Sequence, residues 1–418
     1  MRKGREFPMA QIQVRKTGGE NMMISEKMKP MIQNSSVIRA MFEEGIKMAA
    51  IYGKENVYDF SLGNPSVPAP ECVKQAILAE LEQTDPGLLH GYMPNAGYED
   101  VRQAVADSLN RRFDMDYDAS NIIMTVGAAS GLNDILKTIL NPGDEVITFA
   151  PFFVEYVSYV KNYDGILKVV PPDTKTFQPD LDGMEEMITE KTKAVIVNTP
   201  NNPTGVVYSE DTIRRMGEIL TKKSQENGQP IVLISDEPYR ELVYDGVKVP
   251  YIPKFYRDTV VVYSYSKSLS LPGERIGYLA IPKAMTDSAE VIAAATIAHR
   301  ILGSVNAPSL MQRVIKRCVD QATDVSIYDR NRNLLYQSLK EYGFECVKPE
   351  GAFYLFVKCP GDDEAAFCQA CKEEHILVVP GSSFYCPGFV RISYCVSYEQ
   401  IERSLPAFQA VARKYGLI

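Results

Sequence analysis

Short apolar runs alternate with amphipathic stretches between about residue 70 and residue 305. This alternation is typical of βαβ units and of a mostly parallel sheet. Most of the runs are continuously apolar, as expected when helices cover both faces of a sheet. The pattern predicts an α/β fold with a large domain whose sheet has seven strands, at residues 122–126, 145–150, 167–171, 194–198, 231–235, 260–265 and 277–281.

The pattern changes after about residue 305. A long helical stretch at residues 307–342 leads into strand-like runs at 351–357, 376–379 and 390–396, which predicts a second, smaller α+β domain. The segment before residue 60, with a helix-like run at 36–52, is expected to join it. The predicted division is a small domain of residues 23–60 and 305–418, with the large domain of residues 61–304 inserted.

Residues 1–22 are rich in polar and basic side chains and lack apolar periodicity, which predicts a disordered extension. A transit peptide is an alternative on charge grounds, but Glu6 and Glu20 argue against it. No apolar run approaches the roughly 18 residues needed to cross a bilayer, and the first residues lack an apolar signal-peptide core. We therefore expect a cytoplasmic protein that does not enter a membrane.

The net charge of the chain indicates which classes of binding partner to expect. The 418 residues carry a net charge of −8, and the isoelectric point is about 5.2. This balance argues against a nucleic-acid partner or an anionic membrane surface. Small molecules are the expected ligands.

Cysteine and histidine usage does not indicate a metal site. The eight cysteines are expected to be reduced thiols, because disulfide frameworks belong mainly to small exported domains. Cys368 and Cys371 form a CxxC pair, but no second such pair or paired histidine completes four zinc ligands. With three histidines in the chain, a Ser-His-Asp triad is also poorly supported. No metal is predicted.

Lys267 stands in Ser264-Tyr265-Ser266-Lys267, directly after an apolar strand, and Arg275 follows eight positions later. A lysine beside hydroxyls and a guanidinium suits an amine that forms an imine with an aldehyde whose phosphate needs charge and donors. An isolated lysine near a turn is more often an ordinary solvated side chain. Other motifs in the chain favour the functional interpretation.

Those motifs follow one order along the chain: Asn202-Pro203-Thr204-Gly205, Asp236-Glu237-Pro238-Tyr239, Ser264-x-x-Lys267 with Arg275, and Arg391. In this order and at these spacings they resemble the class I and II aminotransferases among the fold-type I pyridoxal-phosphate enzymes. The resemblance runs from about Met31 to the C-terminus. It implies pyridoxal 5'-phosphate as cofactor, held as a Schiff base by Lys267, and a homodimer with shared active sites.

The resemblance implies a role for the polar residues around the cofactor ring. Asp236 would pair with the protonated pyridine nitrogen, since a buried carboxylate needs a cationic partner. The alternative is an aspartate that caps a following helix. Asn202 and Tyr239 would hydrogen-bond the phenolic oxygen, although the Asn202 tetrapeptide also suits a plain turn. The Asn202-Pro203 bond is a candidate cis peptide.

The cofactor phosphate needs positive charge and convergent N–H groups. A segment at residues 127–131 precedes a predicted helix at 132–140, and a helix N-terminus is a ready anion site. By resemblance, the phosphate ligands are the backbone amides of Ala128 and Ala129, the hydroxyl of Ser264 and the guanidinium of Arg275, whose fork can engage two phosphate oxygens.

Two aromatic residues are also assigned by resemblance. Phe153 would stack on the pyridine ring, with Phe152 as the alternative. Tyr92 would reach the phosphate from the neighbouring subunit, which would make the active site depend on a homodimer. The alternative for Tyr92 is an ordinary half-buried tyrosine.

For the substrate, the resemblance assigns Arg391 to the α-carboxylate, with Asn202 beside it and Gly63 allowing close approach of the backbone. A structural salt bridge is the alternative for Arg391. Arg300 is a candidate for a distal substrate carboxylate, against an ordinary surface arginine. The many tyrosines around the motifs would equally accommodate an aromatic substrate.

The predicted reaction moves the amino group of an L-amino acid of the aspartate or aromatic type to a 2-oxo acid such as 2-oxoglutarate. Lys267 would be covalent anchor and then general base, with Asp236 and Tyr239 as further catalytic residues. Two alternatives stay open: a carbon–sulfur β-lyase on the same fold, and a pyridoxal-phosphate-binding regulator without turnover.

Overall fold

The computed structural model describes residues 23–33, 37–361 and 363–418. The extension predicted at residues 1–22 lies outside the described residues. Two compact units divide the chain, Met1–Ser36 and Val37–Ile418. In the first unit the structure describes one helix, α1 (Met28–Gln33).

Helices and strands alternate through most of the second unit. Its helices are α2 (Val37–Tyr52), α3 (Glu71–Gln83), α4 (Pro86–His90), α5 (Glu99–Phe113), α6 (Gly127–Ile139), α7 (Glu155–Asn162), α8 (Leu181–Met187), α9 (Glu210–Asn227), α10 (Tyr265–Ser268), α11 (Ser288–Ile301), α12 (Ser309–Cys318), α13 (Val325–Glu341), α14 (Glu364–Glu373) and α15 (Tyr398–Lys414). Its strands are β1 (Tyr58–Asp59), β2 (Ile122–Thr125), β3 (Glu145–Phe149), β4 (Ile166–Val170), β5 (Thr192–Asn198), β6 (Val232–Asp236), β7 (Thr259–Ser264), β8 (Gly277–Ala280), β9 (Tyr354–Lys358), β10 (Ile376–Leu377), β11 (Val379–Pro380) and β12 (Phe389–Ser393).

Seven strands form one sheet, in the order β2-β8-β7-β6-β5-β3-β4. Neighbouring strands are parallel except at β8, which runs antiparallel to β2 and β7. The predicted seven-stranded, mostly parallel sheet is confirmed, and each strand ends within two residues of its predicted bounds. The C-terminal ends of β2, β3, β5, β6 and β7 therefore lie at one edge of the sheet, where open α/β folds bind ligands.

Helices bury both faces of this sheet. Val260 and Val262 of β7 pack into one apolar cluster, which also contains side chains of α6, α7 and α11. Val261, between them, packs into another cluster with side chains of α5 and α12. All three valines are fully buried. The continuous apolar sequence of β7 follows from this burial, because successive side chains of a strand point to opposite faces.

The predicted helix at residues 307–342 is wrong in one respect, because the structure has two helices, α12 and α13, with a break between them. Asp324 begins α13 by accepting a hydrogen bond from the Ser326 amide, as an N-cap residue does. The amide of Thr323 donates to the carbonyl of Ser268 at 2.6 Å, which holds the break against α10.

The short strands form two further sheets. Strands β11, β12 and β9 make an antiparallel sheet in that order, and β1 pairs in parallel with β10. The strand-like runs at 351–357 and 390–396 correspond to β9 and β12, whereas the run at 376–379 is divided into β10 and β11. Within the described residues, no helix combines the length and apolar character needed to cross a membrane.

Candidate active site

A cavity of about 320 Å³ lies at the C-terminal edge of the seven-stranded sheet. Polar residues at the ends of β5, β6 and β7 line it, as do residues of the segments that follow β2 and β3. The predicted site residues that line this cavity are Gly63, Ala128, Ala129, Phe153, Asn202, Asp236, Tyr239, Ser264, Lys267, Arg275 and Arg391.

Lys267 follows β7 in the short helix α10. Ser264 caps this helix by accepting a hydrogen bond from the Ser266 amide, and the Ser264 hydroxyl donates to the Ser266 hydroxyl at 2.8 Å. The Lys267 Nζ donates to the carbonyl of Gly63 at 2.7 Å. The amine is therefore held at a defined place in the cavity, by a residue that lies 204 positions earlier in the chain.

Burial lowers the pKa of Lys267 to about 8. The Cys395 thiol acts in the opposite direction, whereas the Arg391 and Arg275 cations lower the pKa further. A substantial fraction of this amine is therefore neutral near pH 8, and a neutral amine can act as a nucleophile or as a base.

Asp236 is the last residue of β6, and the segment after it is a turn rather than a helix, so the helix-cap alternative is wrong. Tyr156 Oη donates to Asp236 Oδ2 at 2.6 Å, while Oδ1 is buried without a hydrogen-bond partner. Burial raises the pKa of Asp236 to about 7; the Tyr156 hydrogen bond opposes this shift, and the Glu237 charge adds to it. A buried carboxylate with one open oxygen is suited to a cationic ligand.

Arg391 lies on β12 and is 2% exposed. Its Nη1 donates to Asn202 Oδ1 at 3.0 Å, its Nη2 donates to the Ser61 carbonyl at 2.6 Å, and its Nε has no partner. The guanidinium also lies 4.6 Å from the ring centroid of Tyr354 and 4.9 Å from that of Phe384. Both hydrogen-bond partners are neutral, so the structure does not favour a structural salt bridge. The positive charge of the guanidinium is therefore suited to an anionic ligand.

The amide of Asn202 donates to Asn198 Oδ1 at 2.8 Å, and Asn198 Nδ2 donates to the backbone carbonyl of Asp236 at 2.9 Å. Asn198 thus links the end of β5 to the end of β6. The Asn202-Pro203 peptide bond is cis, which confirms that prediction. The turn at Asn202 forms part of the cavity wall. Its Asn202 side chain accepts a hydrogen bond from Arg391.

Tyr239 and Tyr354 are buried, and their hydroxyl oxygens lie 2.9 Å apart. A Cβ atom added to Gly63 would lie 2.1 Å from the hydroxyl oxygen of Tyr354. The absence of a side chain at Gly63 is therefore required by Tyr354 as well as by any ligand that approaches the backbone.

Another part of the cavity wall contains N–H groups and a positive charge. Helix α6 begins at Gly127, five residues before the predicted start at residue 132, so Ala128 and Ala129 lie in its first turn. Gly127 has φ +77°, and a Cβ added there would lie 2.6 Å from Nη2 of Arg275. Arg275 also donates to the carbonyl of Pro272 at 2.9 Å. The guanidinium is therefore fixed beside a helix N-terminus, an arrangement that suits a phosphate.

Phe153 lines the cavity and packs edge-on against Tyr156, with ring centroids 5.8 Å apart. Phe152 is 1% exposed and lies in the apolar core instead. Of the two phenylalanines, Phe153 is the one placed to cover a ligand ring.

Tyr92 and Arg300 are not brought into the cavity of their own chain. The Tyr92 side chain is 93% exposed, and Arg300, in the last turn of α11, is also exposed. The role predicted for Tyr92 requires a second chain, and Arg300 does not line the cavity of its own chain.

The cavity contains residues that the sequence did not indicate. Tyr159, Ser266 and Tyr354 line it. Tyr156 does not line it, but its hydroxyl donates a hydrogen bond to Asp236. Asn198 could have been found, since a polar residue at the C-terminal end of an apolar strand is itself a signal. Among the described residues, no group of three or more His, Cys, Asp and Glu side chains is placed to hold a metal ion.

Comparison with known proteins agrees with this geometry. The family model described as "Aminotransferase class I and II" matches residues 55–408. The aspartate aminotransferase of Thermotoga maritima is 33% identical over 85% of this chain and 92% of its own length. The aromatic-amino-acid aminotransferase 2 of Thermococcus litoralis is 31% identical over 95% of this chain and 100% of its own.

Solved structures give the same result. An amino transferase from Eubacterium rectale superposes with a TM-score of 0.93 at 49% identity, covering 95% of this chain and 100% of its own. The relatives carry aminotransferase names, so the lyase and regulator alternatives are not favoured. The chain therefore belongs to the class I and II aminotransferases, enzymes that depend on pyridoxal phosphate and act on amino acids and 2-oxo acids.

Proposed function

We propose that this aminotransferase moves the amino group of an L-amino acid of the aspartate or aromatic type to a 2-oxo acid such as 2-oxoglutarate. One observation carries the proposal: a single cavity holds the buried amine of Lys267, a carboxylate with an open oxygen and a guanidinium whose partners are neutral. The names of two relatives, an aspartate and an aromatic-amino-acid aminotransferase, support the two substrate types.

One set of residues in the cavity fits the cofactor ring. Bound pyridoxal phosphate supplies an aldehyde carbon and an electron-withdrawing ring that stabilises negative charge at the substrate Cα. Asp236 would accept a hydrogen bond from the protonated ring nitrogen through its open Oδ1. Phe153 would cover one face of the ring. Asn202, through its Nδ2, and Tyr239, through its hydroxyl, would donate to the phenolic oxygen.

A second set of residues fits the phosphate. The amides of Ala128 and Ala129 belong to the first turn of α6, where the helix has unpaired N–H groups. Arg275 lies against Gly127 at the same helix end. Ser264 lines the same cavity and lies three residues before Lys267. Together they would offer N–H donors, one hydroxyl and one forked cation to the phosphate oxygens.

Lys267 would move the proton in the reaction. Because burial lowers the pKa of this amine to about 8, a neutral fraction is available to take the proton from the substrate Cα. The Lys267 ammonium would then hold this proton and could give it up again within the cavity, which would restore the neutral amine. The Gly63 carbonyl accepts from Nζ in the free protein and would keep the amine directed into the cavity.

Arg391 would bind the substrate α-carboxylate. Its Nε has no partner, and its Nη atoms bond neutral oxygens that a carboxylate can replace or share. Gly63 and Asn202 line the cavity close to it. For a distal carboxylate we propose Arg300 of a second chain; the type of substrate side chain depends on whether Arg300 acts in this way.

A homodimer with shared active sites is part of the same proposal, because Tyr92 and Arg300 are exposed in their own chain. Exposed apolar side chains occur on the same segments, and this favours a contact with a second copy: Leu88, Ile297, Ile301, Leu302 and Val305. Asn95 Nδ2 donates to the Val305 carbonyl at 2.9 Å, so the loop that carries Tyr92 and the loop after α11 are joined.

We also propose a division into two domains. The pairing of β1 with β10 supports placing the segment before residue 60 with the C-terminal part of the chain. Helix α12 packs into the same apolar cluster as α3 and α5, so we draw the second boundary between α12 and α13 instead of at residue 305.

A cytoplasmic location is the last part of the proposal. All eight cysteines are free thiols, the state that a reducing compartment maintains. Microscopy of the tagged chain in its host tests it, and export of the tagged chain would contradict it.

The experiment is an absorbance spectrum of the purified holoenzyme, before and after addition of single amino acids without any 2-oxo acid. We expect aspartate or an aromatic amino acid to remove the yellow cofactor band, and 2-oxoglutarate to restore it. Lys267→Ala is the control and should not develop the band. Release of pyruvate and ammonia from cysteine conjugates would favour the lyase instead, and a band that no amino acid changes would favour the regulator.

A further inference from the structure

Tyr354 touches three parts of the cavity at once. It is the first residue of β9 and is 2% exposed. Its hydroxyl oxygen lies 2.9 Å from that of Tyr239, and its ring centroid lies 4.6 Å from the Arg391 guanidinium. A Cβ added to Gly63 would meet both its hydroxyl and its ring. No other residue among those described joins Tyr239 and Arg391 in this way.

We propose that Tyr354 is a positioning residue with two separable actions: its hydroxyl orients the Tyr239 proton toward the cofactor, and its ring supports Arg391 for the substrate carboxylate. This inference rests on the proposed function, since it gives Tyr239 and Arg391 the ligands assigned to them there.

The action of the hydroxyl follows from the number of protons in the pair. Each hydroxyl has one proton, and only one of the two can lie in the hydrogen bond between them. If Tyr354 donates, the Tyr239 proton is free to point into the cavity. If Tyr239 donates, its proton lies in the hydrogen bond to Tyr354 and is not available to a ligand. The pair therefore supports Tyr239 as a donor only in the first arrangement.

The surroundings favour donation by Tyr354. Burial raises the pKa of Tyr354 to about 12, and the Arg391 cation acts against that rise. Burial raises the pKa of Tyr239 well above its ordinary value, and the nearby Tyr354 adds to this rise. The Arg391 guanidinium lies 4.6 Å from the Tyr354 ring centroid and is fixed there by hydrogen bonds to Asn202 and Ser61, so its positive charge polarises this phenol and favours donation by the Tyr354 hydroxyl.

The action of the ring follows from its position under Arg391. A guanidinium within about 6 Å of an aromatic centroid is attracted to the ring face, and the attraction is stronger at a buried site. Tyr354 supplies one such face and Phe384 another, 4.9 Å away. The two rings hold the guanidinium plane while its Nη atoms bond Asn202 and Ser61. Loss of the Tyr354 ring should loosen the guanidinium without removing its charge.

Two substitutions separate the two actions. Tyr354→Phe removes the hydroxyl and keeps the ring, whereas Tyr354→Leu removes both. Tyr394→Phe is the matched control, because Tyr394 is also fully buried and its hydroxyl donates to the Ala352 carbonyl, away from Tyr239. Two properties of the holoenzyme are measured: the pH midpoint of the visible cofactor absorbance, and the dissociation constants of two non-reacting carboxylates, maleate and 3-phenylpropionate.

For Tyr354→Phe we expect the pH midpoint to rise by about half a unit or more, because the Tyr239 hydroxyl loses the hydrogen bond that orients and polarises it and then stabilises the negative phenolic oxygen less well. The carboxylate dissociation constants should stay within about threefold of wild type. For Tyr354→Leu the midpoint should rise in the same way, and the carboxylates should bind at least about fivefold more weakly. Tyr394→Phe should change neither property.

A second variant tests the route through Tyr239. Tyr239→Phe should raise the midpoint, and adding Tyr354→Phe to it should cause little further change, because both act through one donor. This comparison does not depend on the folding of Tyr354→Leu. A midpoint in Tyr354→Phe equal to that of Tyr394→Phe, or full additivity with Tyr239→Phe, would overturn the inference. If wild type lacks the visible band or reacts with no amino acid, the proposed function itself fails, and this inference with it.

Discussion

Tyr156 and Asp236 form a 2.6 Å hydrogen bond in which the phenol occupies Oδ2 of the carboxylate and leaves Oδ1 open. Tyr156 is 1% exposed, so this hydrogen bond is shielded from solvent. One oxygen of the carboxylate is therefore occupied by the protein, and the other is open to the cofactor in the proposed site. It also opposes the rise in the pKa of Asp236 that burial causes.

Tyr156→Phe should therefore reduce turnover most at low pH. Without the phenol the pKa of Asp236 rises above about 7, so more of the carboxylate is protonated at neutral pH and cannot pair with a cation. We expect turnover at pH 7 to fall about tenfold and to recover as the pH is raised. Tyr256→Phe, in another apolar cluster, is the control. A uniform loss at all pH values would contradict this explanation.

Asp236→Ala should be nearly inactive. Removing one member of a buried ion pair costs about 3 to 5 kcal/mol, which corresponds to roughly 10² to 10⁴ in rate if the loss falls on the transition state. Asp236→Asn keeps the shape and should lose a comparable factor, because it removes the charge. Turnover above about a tenth of wild type in Asp236→Ala would exclude the proposed role.

The pKa of Lys267 predicts how fast the cofactor-free protein takes up pyridoxal phosphate. A neutral amine attacks an aldehyde, and a lysine with a pKa of about 8 becomes mostly neutral above that pH. The rate at which yellow absorbance develops should rise with pH and level off above about pH 9. A lysine with an ordinary pKa of 10.5 would keep accelerating beyond pH 10.

Arg391→Gln provides the comparison for this measurement. It removes a cation that lowers the pKa of Lys267, so the inflection should move to higher pH. Arg214→Gln, at an exposed position on α9, should leave the inflection in place. An inflection that is the same in all three proteins would show that Arg391 does not act on the amine.

Gly127→Ala should weaken cofactor binding through its phosphate. The new Cβ would lie 2.6 Å from Nη2 of Arg275 and displace the guanidinium. Gly143→Ala is a matched control, because Gly143 also has positive φ but has open space around it. Both variants should lose about 1 kcal/mol of unfolding free energy from backbone strain. Only Gly127→Ala should raise the dissociation constant of pyridoxal phosphate, by about tenfold or more; equal binding in the two variants would contradict a phosphate role for Arg275.

The proposed homodimer makes a prediction about mixtures. Lys267→Ala and Tyr92→Ala should each have little activity. If Tyr92 acts in the neighbouring subunit, a mixed dimer has one site with Lys267 from one chain and Tyr92 from the other. Refolding the two variants together should therefore restore part of the wild-type activity. No gain over the separate proteins, in a preparation shown by mass to contain mixed dimers, would place Tyr92 outside the site.

Arg391→Lys should separate substrate binding from cofactor binding. A lysine keeps the charge but cannot present a planar fork to a carboxylate, and it cannot occupy the place between Tyr354 and Phe384 in the same way. We expect KM for the amino donor to rise at least about tenfold. The visible cofactor band should be unchanged, and its loss would indicate a wider disturbance of the cavity.

The large sheet could be predicted because its strands are continuously apolar and are bounded by polar or turn residues. The same reasoning did not find the break between α12 and α13, although Asp324 is a good N-cap residue. The break is fixed by a hydrogen bond from the Thr323 amide to Ser268, a residue 55 positions away in the numbering of the chain. The periodicity of apolar residues cannot predict a contact between residues so far apart in the sequence.

The candidate site shows the same limit. Lys267 and Arg391 could be singled out because charged residues next to or within apolar strands are costly without a function. Tyr156 could not, because nothing near it in the sequence indicates a partner 80 residues later. The role of Tyr354 could not be predicted either, because it lies in an apolar run, where a tyrosine is an ordinary core residue. Both act through hydroxyl contacts that only the tertiary structure defines.

Asp236 and Ser264 end strands of the seven-stranded sheet, whereas Arg391 belongs to the sheet of β11, β12 and β9. In the proposed site, cofactor absorbance and carboxylate binding are therefore signals from different sheets of one enzyme. In increasing denaturant, the order in which the two signals disappear reports which sheet loses its structure first. The enzyme thus carries its own pair of probes for following how it unfolds.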